Sequence, residues 1–204
     1  MYQFTVPMAL MDFVPVAFFA VTAVYLIRDL YNKMSKTAFT LLAAGSVNVF
    51  GAGFFKALWK LLYAANICDF KALEEMFLPV NSLGLLMVGA ALIIILCCKR
   101  KSAMLSVAPV PFVSSMPFIA MMVLGLGGLC AGLSILAAKL KKGWVMILFI
   151  LSFVCAMGMG YLSSQDSTLS WVNWAEQSIN CASQLALMAG TILLHTAGLK
   201  EFTL

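Results

Sequence analysis

The sequence predicts an all-α integral membrane protein, a single domain over residues 1–204 that forms a bundle of about seven transmembrane helices. The chain is 63% hydrophobic and only 10% charged, so it has too few polar residues to cover the surface of a soluble domain of this size. Its apolar residues gather into long runs, and roughly 20 such residues suffice for a helix to cross a bilayer. The short connectors between the runs leave no room for a separate domain in water.

The first three spans are predicted over residues 5–27, 37–64 and 78–98. No basic residue precedes the first apolar run, which contains Asp12 and two prolines. A secretory signal needs a basic start and a small-residue cleavage site. We therefore interpret the first run as a retained span.

The middle of the chain decides the number of spans. Residues 102–138 lie between basic clusters at 99–101 and 139–142, and short basic connectors stay in the cytoplasm. The segment is therefore expected to cross the membrane an even number of times. Because the part before Pro117 offers only about 14 residues, or roughly 21 Å of helix, we predict a short, proline-broken fourth helix there.

Three further spans complete the scheme, over residues 117–138, 143–162 and 171–196. Spans one to three and five to seven can then form parallel repeats around the short fourth helix, a 3+1+3 arrangement known among small carriers. Any two short membrane helices can share the features that suggest this repeat. The alternative has six spans, with 102–116 lying along the interface and the cluster at 139–142 translocated outward, against the charge rule.

The same charge rule predicts the orientation. Basic residues follow spans one, three and five, which places these connectors in the cytoplasm and the amino terminus outside. The connectors at 68–75 and 163–170 carry little positive charge and are predicted to lie outside. The carboxyl terminus is then cytoplasmic, and the expected location is the plasma or cytoplasmic membrane, as for a bacterial-type inner membrane protein.

Polar residues at membrane depth give the strongest functional signal, because ionisable groups in hydrocarbon are costly and usually face a cavity or a partner. Four predicted spans carry such residues in their outer halves. In the last span they recur every three to four positions, which places them on one face of the helix. We predict a pocket that is open to the outside, binds a small polar ligand and is lined by Asp12, Lys56, Asn81, Ser82, Glu176, Gln177, Asn180 and Gln184.

These residues also have structural interpretations. Lys56 lies about 7 Å from the middle of its span and is expected to pair with Asp12 or Glu176. The amides of the last span could serve as hydrogen bonds between helices. Lys60, one turn further out, is expected to be an interface anchor, and His195 a residue of the cytoplasmic rim.

Two classes of function fit this map. The first is a small carrier, or the substrate-binding membrane subunit of a transporter, which takes a polar solute from the outer pocket and releases it inward. The second is a seven-helix sensor, receptor or interaction protein with a ligand pocket and a basic cytoplasmic rim. A carrier needs a polar path through the inner half, where the sequence offers few polar residues: Ser46, Asn48, Ser134 and Ser152.

Enzymatic functions have less support. The chain has a single histidine and no Cys-x-x-Cys pair, so no zinc site is predicted, and it lacks nucleotide-binding motifs and G-x-S-x-G. An enzyme acting on lipid headgroups through Asp12 and Glu176 is the least favoured alternative. No cofactor, metal or nucleic acid is expected. The predicted partners are the lipid bilayer, the unknown solute, and a further membrane subunit or a second copy of the chain.

Overall fold

A computed structural model describes residues 5–97, 115–162 and 170–202, and all regular structure in these ranges is helical. A short 3-10 turn, Gly143–Val145, precedes the seventh helix. The α-helices are α1 (Val6–Met11), α2 (Phe13–Leu30), α3 (Lys36–Ala64), α4 (Ala72–Glu75), α5 (Phe77–Cys97), α6 (Met116–Lys139), α7 (Met146–Leu162) and α8 (Ser170–Thr196).

Several of these helices suit a membrane, which supports the prediction of a helical protein with multiple spans. α8 is comparably long but more polar, and the predicted fourth helix, 102–116, lies almost wholly outside the described residues. The seven predicted spans are therefore represented, in the described part of the chain, by five apolar stretches and α8. The five stretches that are long and apolar enough to cross are Val6–Leu30, Lys36–Ala64, Ala72–Cys97, Met116–Lys139 and Gly143–Leu162.

The ends of the first helices follow from their residue types. α1 and α2 form one continuous stretch, because Asp12 between them keeps helical backbone angles. Pro7 and Pro15 lie in first turns, where a backbone N–H has no partner within the helix. Ser35 begins α3 by accepting a hydrogen bond of 3.2 Å from the backbone N–H of Ala38, which satisfies one of the free donors at the helix start.

The long helices close into a ring. Around it, α2 packs against α3, α3 against α5, α5 against α6, α6 against α7, α7 against α8, and α8 against α2. The core between them is apolar and rich in leucine, with members on every long helix. Its fully buried leucines include Leu30, Leu42, Leu92, Leu129, Leu133, Leu136 and Leu194.

Contacts between neighbours fix the directions of the helices. α3 runs antiparallel to α2 and to α5, and α7 runs antiparallel to α6 and to α8. α5 and α6 run parallel instead. Asn81 contacts Met122 near the starts of these helices, and Leu92 lies against Gly132 further along both.

α2 and α8 form the second parallel contact. Asp29 and His195, each near the end of its helix, are 2.9 Å apart. The ring therefore consists of two antiparallel triplets, α2–α3–α5 and α6–α7–α8, which are joined by two parallel contacts, α5 with α6 and α8 with α2.

The parallel contacts depend on glycine where α5 meets α6. A Cβ atom at Gly89 would lie 2.3 Å from the carbonyl oxygen of Gly125, and one at Gly125 would lie 2.4 Å from the backbone of Leu85. Only hydrogen fits at either position, because both neighbours are backbone rather than movable side chain. Small residues of this kind let helices approach closely in lipid.

These directions sort the charged residues onto two ends of the bundle. The ends of α2, α6 and α8 share one end, which we call the basic end, and the opposite one the acidic end. The described basic end carries Arg28, Lys33, Lys36, Lys139, Lys141, Lys142 and Lys200, together with Asp29 and Glu201. The described acidic end carries Asp12, Asp69, Glu74, Glu75 and Glu176, together with Lys56, Lys60 and Lys71.

Candidate functional site

A group of charged side chains lies at the acidic end, where the start of α2, the end of α3 and the start of α8 meet. Its centre is an ion pair of 2.8 Å between Lys60 Nζ and the carboxylate of Asp12, whose side chains are only 11% and 13% exposed. Lys56 lies within electrostatic range of both members of this pair and also of Glu176. We call Asp12, Lys56, Lys60 and Glu176 the acidic-end cluster.

Lys60 differs from its sequence interpretation as an interface anchor, because it is buried and paired. The reason is its pair with Asp12, which holds the ammonium inside the bundle. The neighbouring Trp59 is also buried, at 1% exposed, and its Nε1 donates a hydrogen bond of 3.0 Å to Asp69 in the connector after α3.

Lys56 occupies a different environment from the one expected. Its ammonium lies 4.1 Å from the centroid of the Phe77 ring, a cation–π contact. The carboxylates of Asp12, Glu176 and Glu74 attract it from a longer distance, and Lys60 repels it. Among the described residues, no carboxylate lies within ion-pair distance of Lys56, so the expected direct pair with Asp12 or Glu176 is replaced by the pair between Asp12 and Lys60.

Gln177 is the most unusual polar residue near the cluster. It is only 4% exposed, and among the described residues neither its amide nitrogen nor its amide oxygen has a hydrogen-bond partner. Cys181, one turn along α8 on the same side, lies within electrostatic range of Asp12, so this side of α8 faces the cluster. Leaving a buried donor or acceptor without a partner costs about 1–3 kcal/mol of folding free energy. A ligand that bonds to the amide would remove this cost, so such a group is suited to bind one.

The other four predicted site residues lie on α5 and α8, and in the described part of the chain none of them forms a hydrogen bond with the acidic-end cluster. Asn81 is buried and donates to Met122 Sδ at 3.6 Å, a weak acceptor. Ser82 is fully buried but uses its hydroxyl within its own helix, to the carbonyl oxygen of Pro79 at 3.1 Å. Asn180 and Gln184 are partly buried on α8, and the side-chain oxygen of Gln184 also lacks a partner.

The polar face of α8 continues beyond the predicted pocket. Residues at spacings of three, four and seven share a face of a helix, so the pocket amides lie in line with Thr191 and His195. Thr191 is fully buried and donates to the carbonyl oxygen of Leu187 at 2.9 Å. At the far end, His195 Nδ1 lies 2.9 and 3.0 Å from the two carboxylate oxygens of Asp29.

Sequence reasoning missed the pair of Asp29 and His195. The Asp29 side chain is 0% exposed, and the Tyr25 ring lies 4.8 Å from the imidazole. His195 lies in the last turn of α8 and is 27% exposed, so it is at the end of the bundle, as expected, but it also has a buried partner. One signal was present: Asp29 is an acid within a connector region that is otherwise basic. Its partner lies 166 residues away, and no pattern in the sequence connects the two.

Lys33 joins the carboxyl-terminal residues to this end. Its ammonium donates to the backbone carbonyl oxygens of Leu199 and Phe202. Partial burial lowers the pKa of Lys33, and the nearby carboxylate of Asp29 opposes that change. The segment after α8 is therefore fastened to the connector between α2 and α3.

A cavity of about 110 Å³ lies at the basic end and not at the acidic-end cluster. It is small, with room for a few water molecules, and it is lined by Lys142, Trp144, Val145, Leu193, Thr196 and Ala197. In the described part of the chain no group of three or more potential metal ligands occurs.

Comparison with known proteins gives no relative: no family model, curated protein or solved structure matches this chain.

Proposed function

We propose that the protein is a small membrane carrier, or the substrate-binding membrane subunit of a transporter, which binds a small polar solute at the acidic end of the bundle. The observation that carries the proposal is Gln177, a buried amide that has no hydrogen-bond partner in the described part of the chain and lies on the side of α8 that faces the acidic-end cluster. Polar groups inside a membrane bundle usually face a substrate path or a partner. A bound solute supplies the hydrogen bonds that Gln177 lacks.

The cluster favours a solute with charges of both signs. Lys56 lacks a close carboxylate partner and is suited to a carboxylate group, whereas Glu176 is suited to an amine. Gln177 can donate to one part of the solute and accept from another. We therefore propose a zwitterionic solute of amino-acid size.

The polar face of α8 favours a carrier over a sensor. A sensor needs only a pocket, but a carrier also needs polar groups through the other half of the bundle. Thr191 and the pair of Asp29 and His195 supply such groups in addition to those expected from the sequence. From Gln177 to His195 the distance along α8 is about 27 Å, close to the roughly 30 Å of hydrocarbon in a bilayer.

We propose seven crossings, with the acidic end outside. Since α5 and α6 run parallel, the end of α5 and the start of α6 lie at opposite ends of the bundle, and a chain that joins them crosses an additional time. The order of the two triplets supports the 3+1+3 arrangement. Basic residues concentrate at the end that the charge rule assigns to the cytoplasm.

Cysteine labelling tests this topology. In a chain without its native cysteines, we expect Lys71→Cys to react with a membrane-impermeant maleimide added to intact cells, and Lys141→Cys to react only after lysis. Both positions are exposed. Labelling of Lys141→Cys in intact cells would contradict the orientation.

Binding is tested by thermal stabilisation of the purified protein in detergent, with the standard amino acids added one at a time. We expect at least one of them to raise the melting temperature of the wild type, and this rise to be lost in Gln177→Leu, which keeps the approximate size of the side chain. The matched control is Ser178→Ala, an exposed neighbour on the same helix. Radiolabelled uptake into proteoliposomes then distinguishes a carrier from a sensor.

Three results would count against this function. If an amino acid still raises the melting temperature of Gln177→Leu, Gln177 is not part of the binding site. Binding without uptake or exchange favours the sensor. If no amino acid stabilises the wild type, the proposed solute class is wrong.

A further inference from the structure

The pair of Asp29 and His195 at the basic end is a group of titratable side chains outside the acidic-end cluster. Its carboxylate is completely buried, and the imidazole is the only histidine side chain in the sequence. A histidine changes its charge between about pH 5 and 8, where no other side chain ordinarily titrates. The pair therefore adds a group that can take up and release a proton at one end of the polar face of α8.

The contacts of the pair indicate which ring nitrogen is open to a proton. When Asp29 is ionised, its carboxylate only accepts hydrogen bonds, so the tautomer that completes these contacts carries its hydrogen on Nδ1 of His195, between the ring and the two oxygens of Asp29. The lone pair of Nε2 then takes the incoming proton and forms a new N–H bond. The product is an imidazolium paired with a carboxylate, and loss of the same proton restores the neutral imidazole.

The charge of the pair changes with that proton. With it, the pair is neutral overall; without it, a single negative charge is buried in the bundle. A buried charge without a full partner is costly, so loss of the proton favours a state in which this end opens to water. The Tyr25 ring on α2 packs against the imidazole, and Lys33 in the next connector lies within electrostatic range of Asp29. Arg28 on α2, and Lys200 and Glu201 after α8, are exposed charged residues at the same end.

Resting on the proposed carrier function, we propose that Asp29 and His195 form a proton-binding site that couples movement of the solute to movement of a proton. The two pairs lie at opposite ends of the bundle, with Asp12–Lys60 at the acidic end and Asp29–His195 at the basic end. The Asp29 side chain is fully buried, whereas the His195 side chain is 27% exposed, so the imidazole is the member of the pair that a proton from water can reach.

The test uses the full-length protein in proteoliposomes that contain the pH indicator pyranine. The standard amino acids are added outside one at a time, with a potassium diffusion potential that is negative inside. We expect the wild type to acidify the lumen when a transported amino acid is added. Asp29→Asn and His195→Gln should lose this acidification, and Arg28→Gln, which removes an exposed charge at the same end, should retain it.

Exchange of radiolabelled for unlabelled amino acid provides the second measurement, because exchange requires a carrier but no net proton movement. We expect both variants of the pair to keep exchange, which also shows that they fold. Acidification that persists in His195→Gln, or wild-type exchange without acidification, would contradict the proposal of a proton site but not the proposed carrier function. Absence of exchange in the wild type would overturn both proposals, and loss of exchange in both variants would make the pair structural.

Discussion

The contact between α5 and α6 gives a prediction whose size follows from the structure. A methyl group at Gly89 would lie 2.3 Å from the carbonyl oxygen of Gly125, whereas ordinary contacts begin near 3.4 Å. In Gly89→Ala the two backbones must therefore separate by about 1 Å, and a gap of this size forfeits a quarter to a half of the dispersion energy of each affected contact. Overpacking of this kind costs about 1–3 kcal/mol. We expect the upper part of that range, because backbone cannot rotate away.

Gly158→Ala is the matched control, since a Cβ atom at Gly158 in α7 meets nothing within 4 Å. Both substitutions carry the same intrinsic preference of alanine over glycine in a helix, about 1 kcal/mol. The difference between the two variants therefore isolates the cost of packing.

The assay is reversible unfolding by sodium dodecyl sulfate in mixed micelles, followed by far-UV circular dichroism. The free energy of unfolding should fall by about 2–3 kcal/mol in Gly89→Ala relative to Gly158→Ala. Combining Gly89→Ala with Gly125→Ala should cost less than the sum of the single changes, because both force the same separation of α5 from α6. Equal stability of Gly89→Ala and the control would refute the close parallel contact, and with it the support for an odd number of crossings.

Two further predictions concern pairs at the ends of the bundle. Asp12→Asn and Lys60→Met should each lower the free energy of unfolding by about 3 kcal/mol, because each leaves a buried charge without its partner. The double variant should recover most of this loss, because removing both charges costs less than leaving one of them unpaired. Additive losses in the same unfolding assay would contradict the pair. Lys33→Met should expose the carboxyl-terminal residues, which limited trypsin digestion and mass spectrometry would detect as faster cleavage after Lys200, whereas the exposed Lys36→Met should digest like the wild type.

The helix boundaries were largely predictable from the sequence. The second and third spans were predicted at 37–64 and 78–98, and the helices are Lys36–Ala64 and Phe77–Cys97. Hydropathy and flanking charge fix such limits locally, because a membrane helix begins and ends where polar residues reach water.

The pairing of charges was not predictable in the same way. The sequence placed Asp12 and Lys56 at similar depth and Lys60 one turn further out, but the choice between the two lysines as partner of Asp12 depends on the rotation of α3 about its axis. The pair of Asp29 and His195 depends on which helices are neighbours in the ring. The periodicity of a single helix determines neither its rotation in the bundle nor its neighbours. That the predicted pocket residues bind a ligand stays a prediction.

Trp59 gives this protein a built-in optical reporter. It is the one buried tryptophan of four, since Trp144, Trp171 and Trp174 are 57%, 64% and 41% exposed. It adjoins Lys60 in the chain and holds the connector through Asp69. Trp59 is shielded within the bundle whatever surrounds the other three indoles. An opening that admitted water to this end would shift its emission to longer wavelength, without any label.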